Sequence, residues 1–337
     1  MAARMSVVER HAWLRPMTSG EAIDLALRCY QRSAWNLLKL TASPLAFAYC
    51  GVVFMGIVVA PGLFTTGARG VAGVEIGEIF VTLVLALVVG LPLIFAGLGS
   101  VFGIVTRATS DVLDGRPVDE VAALRAGRVS LRAVFVGILR VFFTACLFFL
   151  LAGAFALIGM LTEAATGASE TAGLAAGMAG LCVLIGVVFA PLWMNARSLL
   201  PAVVVLEGLG AKEAARRSAY LMKRHRGQGN ADGVTAGVFL LLVFLGAVLG
   251  TSLGLVLQLT GLVGRIESWV TVAGLSQLVG QVVAALPGYV CLWFLVPFWG
   301  TAMTVLYYDR RVRLEALDVQ VMINDINNAD RRAILLR

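Results

Sequence analysis

Long apolar runs alternate with short polar connections along the whole chain. Six of them, near 43–64, 79–106, 133–161, 174–206, 234–260 and 273–308, reach the roughly 20 apolar residues that carry a helix across a hydrocarbon core of about 30 Å. The strict alternation of a membrane β-barrel is absent, so backbone polar groups are expected to be satisfied within helices. The pattern predicts an all-α integral membrane fold of six transmembrane helices. Residues 1–42 precede the membrane domain at 43–308, and 309–337 form a tail. The last run amounts to about 54 Å of helix. It must tilt, bend or continue into water, and Pro297 is the expected bend.

The polar connections are patterned too. Amphipathic segments begin near Glu21 (GEAIDLALRCYQR), Glu120 (DEVAALRAGR) and Glu213 (AKEAARRSAYLMKR), and each precedes two apolar runs. The second run of each pair holds a proline: Pro92, Pro191 and Pro297. Glu21 and Pro92 are 71 positions apart, as are Glu120 and Pro191, against 84 for Glu213 and Pro297. The chain thus reads as three hairpins, each preceded by a cytoplasmic amphipathic helix, with RHRGQGNADG as the insertion in the third unit. Divergence from one hairpin accounts for this spacing; so does the general frequency of proline in membrane helices. Thr18-Ser19-Gly20-Glu21 predicts a capping box. Beyond it Ile23, Leu27, Tyr30 and Ala34 share a face opposite Asp24, Arg28, Gln31 and Arg32. Such a helix lies in the membrane interface or packs on the ends of the spans.

Composition agrees with this class: 59% of residues are hydrophobic and 14% charged, with mean hydropathy +0.90. The segments at 65–78, 162–173 and 261–272 hold only Arg69 and Arg265 among bases, beside Glu75, Glu78, Glu163, Glu170 and Glu267. The positive-inside rule then puts both termini in the cytoplasm, as in a multi-pass inner-membrane protein. The net charge of +7 reflects a basic face toward anionic lipid rather than nucleic-acid binding. No cleavable signal peptide is read at the start. Cys29, Cys50, Cys146, Cys182 and Cys291 form no C-x-x-C pair, and His11 and His225 are far apart. Disulfides, metal and cofactor are therefore not expected.

Arg140 and Arg197 stand within apolar runs. Arg140 follows Arg132 by about 12 Å of helix, and Arg197 precedes Glu207 by about 15 Å. In antiparallel neighbours they reach similar depth in the cytoplasmic half. Arginine near the bilayer centre costs about 2.5 kcal/mol or more, and neither run offers an acid to neutralise the pair. A phosphate or carboxylate would do so through bidentate hydrogen bonds, with Asn195 and Ser198 adding donors. Snorkelling of each side chain to the headgroups is the alternative. A second cluster comprises Tyr307, Tyr308, Asp309, Arg310, Arg311, Arg313 and Glu315. It suits either a clamp, with Asp309 and Glu315 pairing with arginines of the amphipathic helices, or headgroup binding. Gly51 and Gly56, Gly90 and Gly97, and Gly246 and Gly250 offer close helix contact, the last pair as a true G-x-x-x-G. Ser276, Gln277 and Gln281 suit interhelical hydrogen bonds or a polar path.

Three stretches, LRPMTSGEAIDLALRCYQR, PAVVVLEGLGAKEAARRSAYLMKR and TVLYYDRRVRLEALDVQVM, carry a resemblance. The chain resembles the prokaryotic family named for the membrane domain of glycerophosphoryl diester phosphodiesterase. Tyr308, Asp309, Arg311, Val312, Arg313, Glu315 and Asp318 fit its Y-D-x-R-V-R-x-E-G-F-D-L-E pattern. Ala316, Leu317 and Gln320 depart from it. Arg15, Pro16, Gly20, Glu21, Asp24, Tyr30 and Arg32 fit at the start, and Glu207, Gly208, Glu213, Arg217 and Ser218 in the middle. The resemblance implies six spans in this order of segments. It does not imply the phosphodiesterase, whose TIM barrel needs about 250 residues of alternating strands and helices. His225-Arg226-Gly227 spells the opening of that catalytic motif, but the accompanying carboxylates and second histidine are not recognisable, and a solvated basic loop accounts for it.

The resulting expectation is a non-enzymatic protein that engages membrane lipids, especially anionic phospholipids, and organises or supports a membrane or envelope partner. A transporter or flippase-like permease for a lipid or small anion is the alternative. An intramembrane hydrolase lacks a nucleophile–base pair or metal cluster.

Overall fold

The structure is a computed structural model that describes residues 15–56, 81, 84–166, 169–223, 231–269, 275–321 and 323. His11, the segment 65–78 with Arg69, and the His225-Arg226-Gly227 stretch lie outside them, as do the side chains of Ser276 and Gln277. Among the described residues the chain is helical, without strands. Four helices are long and apolar enough to cross a membrane, or five if one bent pair counts as a single span.

Helix α1 (Ser19–Phe54) starts from the expected capping box. The Glu21 N–H donates to Thr18 Oγ1 at 3.3 Å and the Thr18 N–H donates to Glu21 Oε2 at 2.7 Å. This helix is continuous: the amphipathic segment and the apolar run share one rod of 36 residues that passes through Pro44. Its buried stripe also differs from the expected one. Ala22, Ala26, Cys29 and Ser33 are buried, whereas Leu27 is exposed and Ile23, Tyr30 and Ala34 are only partly covered. Small side chains let helix backbones approach closely, and the larger apolar ones are left at the margin.

A π-helical turn at Ala86–Gly90 leads into α2 (Leu91–Leu113). Helices α1 and α2 meet through glycines. A Cβ on Gly51 would stand 2.9 Å from the Gly90 carbonyl oxygen, and one on Gly97 would stand 2.5 Å from that of Pro44. Gly56 and Gly250 face open space, so the Gly246–Gly250 motif does not form the close seam its spacing suggests. In its place Gly103 meets Gly127 where α2 packs on α3 (Glu120–Ala145). The third apolar run breaks at Cys146, with a 50° bend before α4 (Leu147–Thr166). Helix α4 packs mainly on α5 (Ser169–Asn195).

The fourth run breaks as well. A turn at 196–199 separates α5 from α6 (Leu200–Glu207). Pro201 explains the break: it has no N–H to donate to the Arg197 carbonyl four residues back, and its ring would crowd that carbonyl. The Leu200 N–H takes it instead in a tighter i→i+3 bond of 3.1 Å. Gly208 at φ 68° closes α6, as left-handed glycines commonly do. Then follow α7 (Ala211–Met222), α8 (Ala231–Leu259), α9 (Leu262–Trp269) and α10 (Leu275–Glu315).

Helix α10 is the spine. It runs 41 residues through both Pro287 and Pro297 and packs on α1, α2 and α8. Four aromatic donors tie it to α1. Tyr30 OH donates to the Phe294 carbonyl (3.0 Å), Trp293 Nε1 to Leu38 (2.8 Å), Tyr289 OH to Ala42 (3.0 Å) and Tyr49 OH to Ala285 (2.5 Å). A hydroxyl or indole N–H buried in an apolar medium needs such an acceptor. Toward its C-terminal end α10 meets α6 and α7 in a core that includes Leu199, Val203, Leu221 and Tyr307.

Candidate functional site: an apolar chamber opening on a basic cleft

The break at 196–199 opens onto a chamber of about 760 Å³. Phe95, Leu98 and Phe102 of α2, Ile138 and Phe142 of α3, and Trp299 and Met303 of α10 supply its apolar wall. Pockets for small ligands typically occupy about 300–1,000 Å³ and combine apolar walls with a few placed polar groups. The chamber's polar lining comes from Asn195 at the end of α5, Arg197 and Ser198 of the turn, Thr106 of α2 and Thr235 of α8. Non-helical backbone at membrane depth is tolerated where it lines a cavity or is covered by protein. The Asn195 Oδ1 accepts from Thr235 Oγ1 of α8 at 2.5 Å. The Ser198 hydroxyl is buried without a hydrogen-bond partner.

A second cavity of about 340 Å³ adjoins the first, and Val141 and Arg197 line both. Its charged lining is wholly cationic: Arg140 from α3, Arg197 from the turn, and Lys212 and Arg216 from α7. Among the described residues no carboxylate lines either cavity. Arg197 is held in place rather than free to sweep. Its guanidinium carbon lies 3.3 Å from the centroid of the Trp193 ring, and its Nη1 donates to the Trp193 carbonyl at 3.3 Å. Trp193 is itself stacked on Phe189 at 5.4 Å. The structure thus brings Arg140 and Arg197 to one cleft, while Asn195 and Ser198 belong to the adjoining chamber.

Lys212 and Arg216 complete the cleft, and the sequence reading passed over them. Their signal was present. Lys212, Ala215, Arg216 and Ala219 recur at helical spacing and share the face of α7 that lines the cleft, while Ala214, Ser218, Leu221 and Met222 are buried on another.

The tail residues do not form one cluster. They divide among three contacts. Tyr308 shares a hydrogen bond of 2.9 Å with Ser110 of α2. Asp309 accepts from the Met17 N–H at 2.9 Å and from Arg313 Nε at 3.0 Å, and Arg313 also donates to the Met17 carbonyl. That contact fastens the segment just before α1 to the end of α10. Glu315 accepts from Arg311 Nε at 3.0 Å and pairs with Arg217 of α7. Arg217 Nε also donates to Glu207 Oε2 at 3.1 Å, and Glu207 Oε1 accepts from Tyr307 OH at 2.8 Å. Burial alone would lower the Arg217 guanidinium, but hydrogen bonds and charge from Glu207 and Glu315 outweigh it and hold its pKa above the ordinary arginine value. Among the described residues no group of three or more His, Cys, Asp or Glu side chains could hold a metal ion.

No family model, curated protein or solved structure matches the chain.

Proposed function

We propose that this is a six-span inner-membrane protein with both termini cytoplasmic, built from three hairpins, whose non-enzymatic role is to hold an anionic phospholipid and support a membrane or envelope partner. The position of Arg197 carries the reading. One guanidinium stands on the wall of both an apolar chamber and a cationic cleft, which matches a ligand with an apolar body and an anionic head. Membership of the glycerophosphoryl diester phosphodiesterase membrane-domain family belongs to the same reading. It rests on the three sequence stretches, two of which supply the ion pairs at the end of α10.

The test is native mass spectrometry of the gently extracted protein beside an Arg140→Ala/Arg197→Ala variant. An anionic phospholipid retained by the parent and missing from the variant is the expected result. Equal retention, or none in either sample, would sink the lipid site and leave a scaffold. A second reading, a lipid or anion permease, draws on the break at 196–199. Discontinuous helices whose unwound residues line a central cavity are a recurring transporter device. Lipid exchange between leaflets of proteoliposomes that is faster with the protein would favour it.

A further inference from the structure

We infer that the cleft formed by Arg140, Arg197, Lys212 and Arg216 takes a terminal phosphate, the three-oxygen dianion of a phosphomonoester headgroup, in preference to the singly charged phosphodiester of common phospholipids. The inference rests on the lipid-binding reading above and specifies its headgroup.

Charge accounting within α7 motivates it. Arg216 and Arg217 are neighbours in sequence, yet their surroundings are opposite. Arg217 is saturated by two carboxylates, Glu207 and Glu315. Arg216 lines the cleft with three other cations, and none of the four makes an ion pair among the described residues. Other arginines near the ends of α2 and α10 are paired, Arg107 with Asp111, Arg311 with Glu315 and Arg313 with Asp309. Arg125, Arg128 and Arg132 of α3, like the cleft cations, make no ion pair among the described residues; what sets the cleft apart is four cations on one cavity wall. Like charges lining one small cavity raise each other's cost. A diester supplies one negative charge. A monoester supplies about 1.5 to 2 near neutral pH, its second pKa being about 6, together with three acceptor oxygens. Three guanidinium forks and an ammonium, drawn from α3, the 196–199 turn and α7, suit that trigonal set of acceptors.

The geometry limits the source as well. Soluble phosphates satisfy the cleft but leave the apolar chamber beside it unfilled. A lipid phosphomonoester fills both through the shared wall at Val141 and Arg197.

The experiment uses the full chain in nanodiscs of neutral phosphatidylcholine, doped with phosphatidic acid or with phosphatidylglycerol. At about pH 7.5 phosphatidic acid should be retained about tenfold better, and this preference should shrink toward pH 5 as the monoester loses its second charge. Lys212→Gln/Arg216→Gln should lower retention of both lipids, that of phosphatidic acid far more, so that the preference disappears. The exposed pair Arg125→Gln/Arg128→Gln should leave the preference intact. Equal retention of the two lipids overturns the terminal phosphate but spares the lipid site; retention of neither removes both. Equal loss of preference in the Arg125/Arg128 variant overturns the cleft in favour of general surface charge. Glycerol 3-phosphate displacing phosphatidic acid at comparable concentration would keep the terminal-phosphate chemistry and overturn the lipid as its source.

Discussion

Arg197 sits over the Trp193 ring, its guanidinium carbon 3.3 Å from the ring centroid, and this contact fixes a cation common to chamber and cleft. A cation over an aromatic face is worth about 0.5–2 kcal/mol, more when desolvated. Trp193→Leu keeps an apolar side chain but removes the platform. Lipid retention should fall roughly two- to thirtyfold, the equilibrium counterpart of that energy range. The thermal midpoint should drop as well, because the Phe189 stack is lost. Unchanged retention would mean that Arg197 is positioned by its backbone alone.

The start of α1 and the end of α10 are tied through Asp309. Its carboxylate is buried and accepts from both Met17 N–H and Arg313. Asp309→Ala leaves Arg313 and a backbone donor without their partner. Breaking a buried pair from one side costs about 3–5 kcal/mol. The expected outcome is a clear fall in unfolding temperature in detergent, together with new protease cleavage near Arg15. Cleavage at the parental rate would show that the segment is held by its apolar contacts.

Arg217 links three elements, through Glu207 at the end of α6 and Glu315 at the end of α10. Arg217→Gln removes two ion pairs and leaves Glu207 without its arginine, while Glu315 keeps only Arg311. Both carboxylates are less than one-fifth exposed, so a loss of about 2–4 kcal/mol is expected, toward the buried end of the range for such pairs. Arg217→Lys should restore less than half, because an ammonium cannot present two guanidinium edges. The pKa of Arg217 is raised above its ordinary value. Its contribution is therefore fully present below that ordinary value and is lost only as pH rises through the folded one. Unfolding temperature in the parent should accordingly owe no loss to this group between neutral pH and mild alkali.

Local signals in the sequence were readable and long-range ones were not. Thr18 and Glu21 specify their capping box within four residues, so the start of α1 could be read directly. Counting along two apolar runs put Arg140 and Arg197 near one another, and both line one cleft. Lys212 and Arg216 could not be assigned to the cleft, because a charged helical face carries no mark of what stands opposite it. The break before Pro201 was also passed over: an apolar run hides the consequence of a proline whose lost hydrogen bond falls on Arg197. Charge pairing shows the same division. The expected pairing of Glu315 with an arginine of an amphipathic segment is present, with Arg217 of α7, but which arginine it meets, and that Asp309 takes the Met17 N–H and Arg313 of its own helix, carry no local mark. Periodicity cannot rank those partners.

Glycine spacing is the sharpest instance, and it yields a test. Gly246 and Gly250 have the motif spacing, yet a Cβ on Gly250 meets nothing within 4 Å and one on Gly246 meets only Leu295 at 3.3 Å. Gly97 belongs to no such motif, yet its Cβ would fall 2.5 Å from the Pro44 carbonyl and 2.6 Å from the Ala48 Cβ. Backbone cannot yield as a flexible side chain can, so Gly97→Val must push α1 off α2. Overpacking of this kind costs about 1–3 kcal/mol or more. Gly97→Val should therefore lower the unfolding temperature or abolish the folded monodisperse peak on size exclusion. Gly250→Val, which adds a β-branched side chain in open space, should leave both near the parental values. The reverse ranking would show that the motif, rather than the Gly97 contact, forms the seam on which the bundle depends.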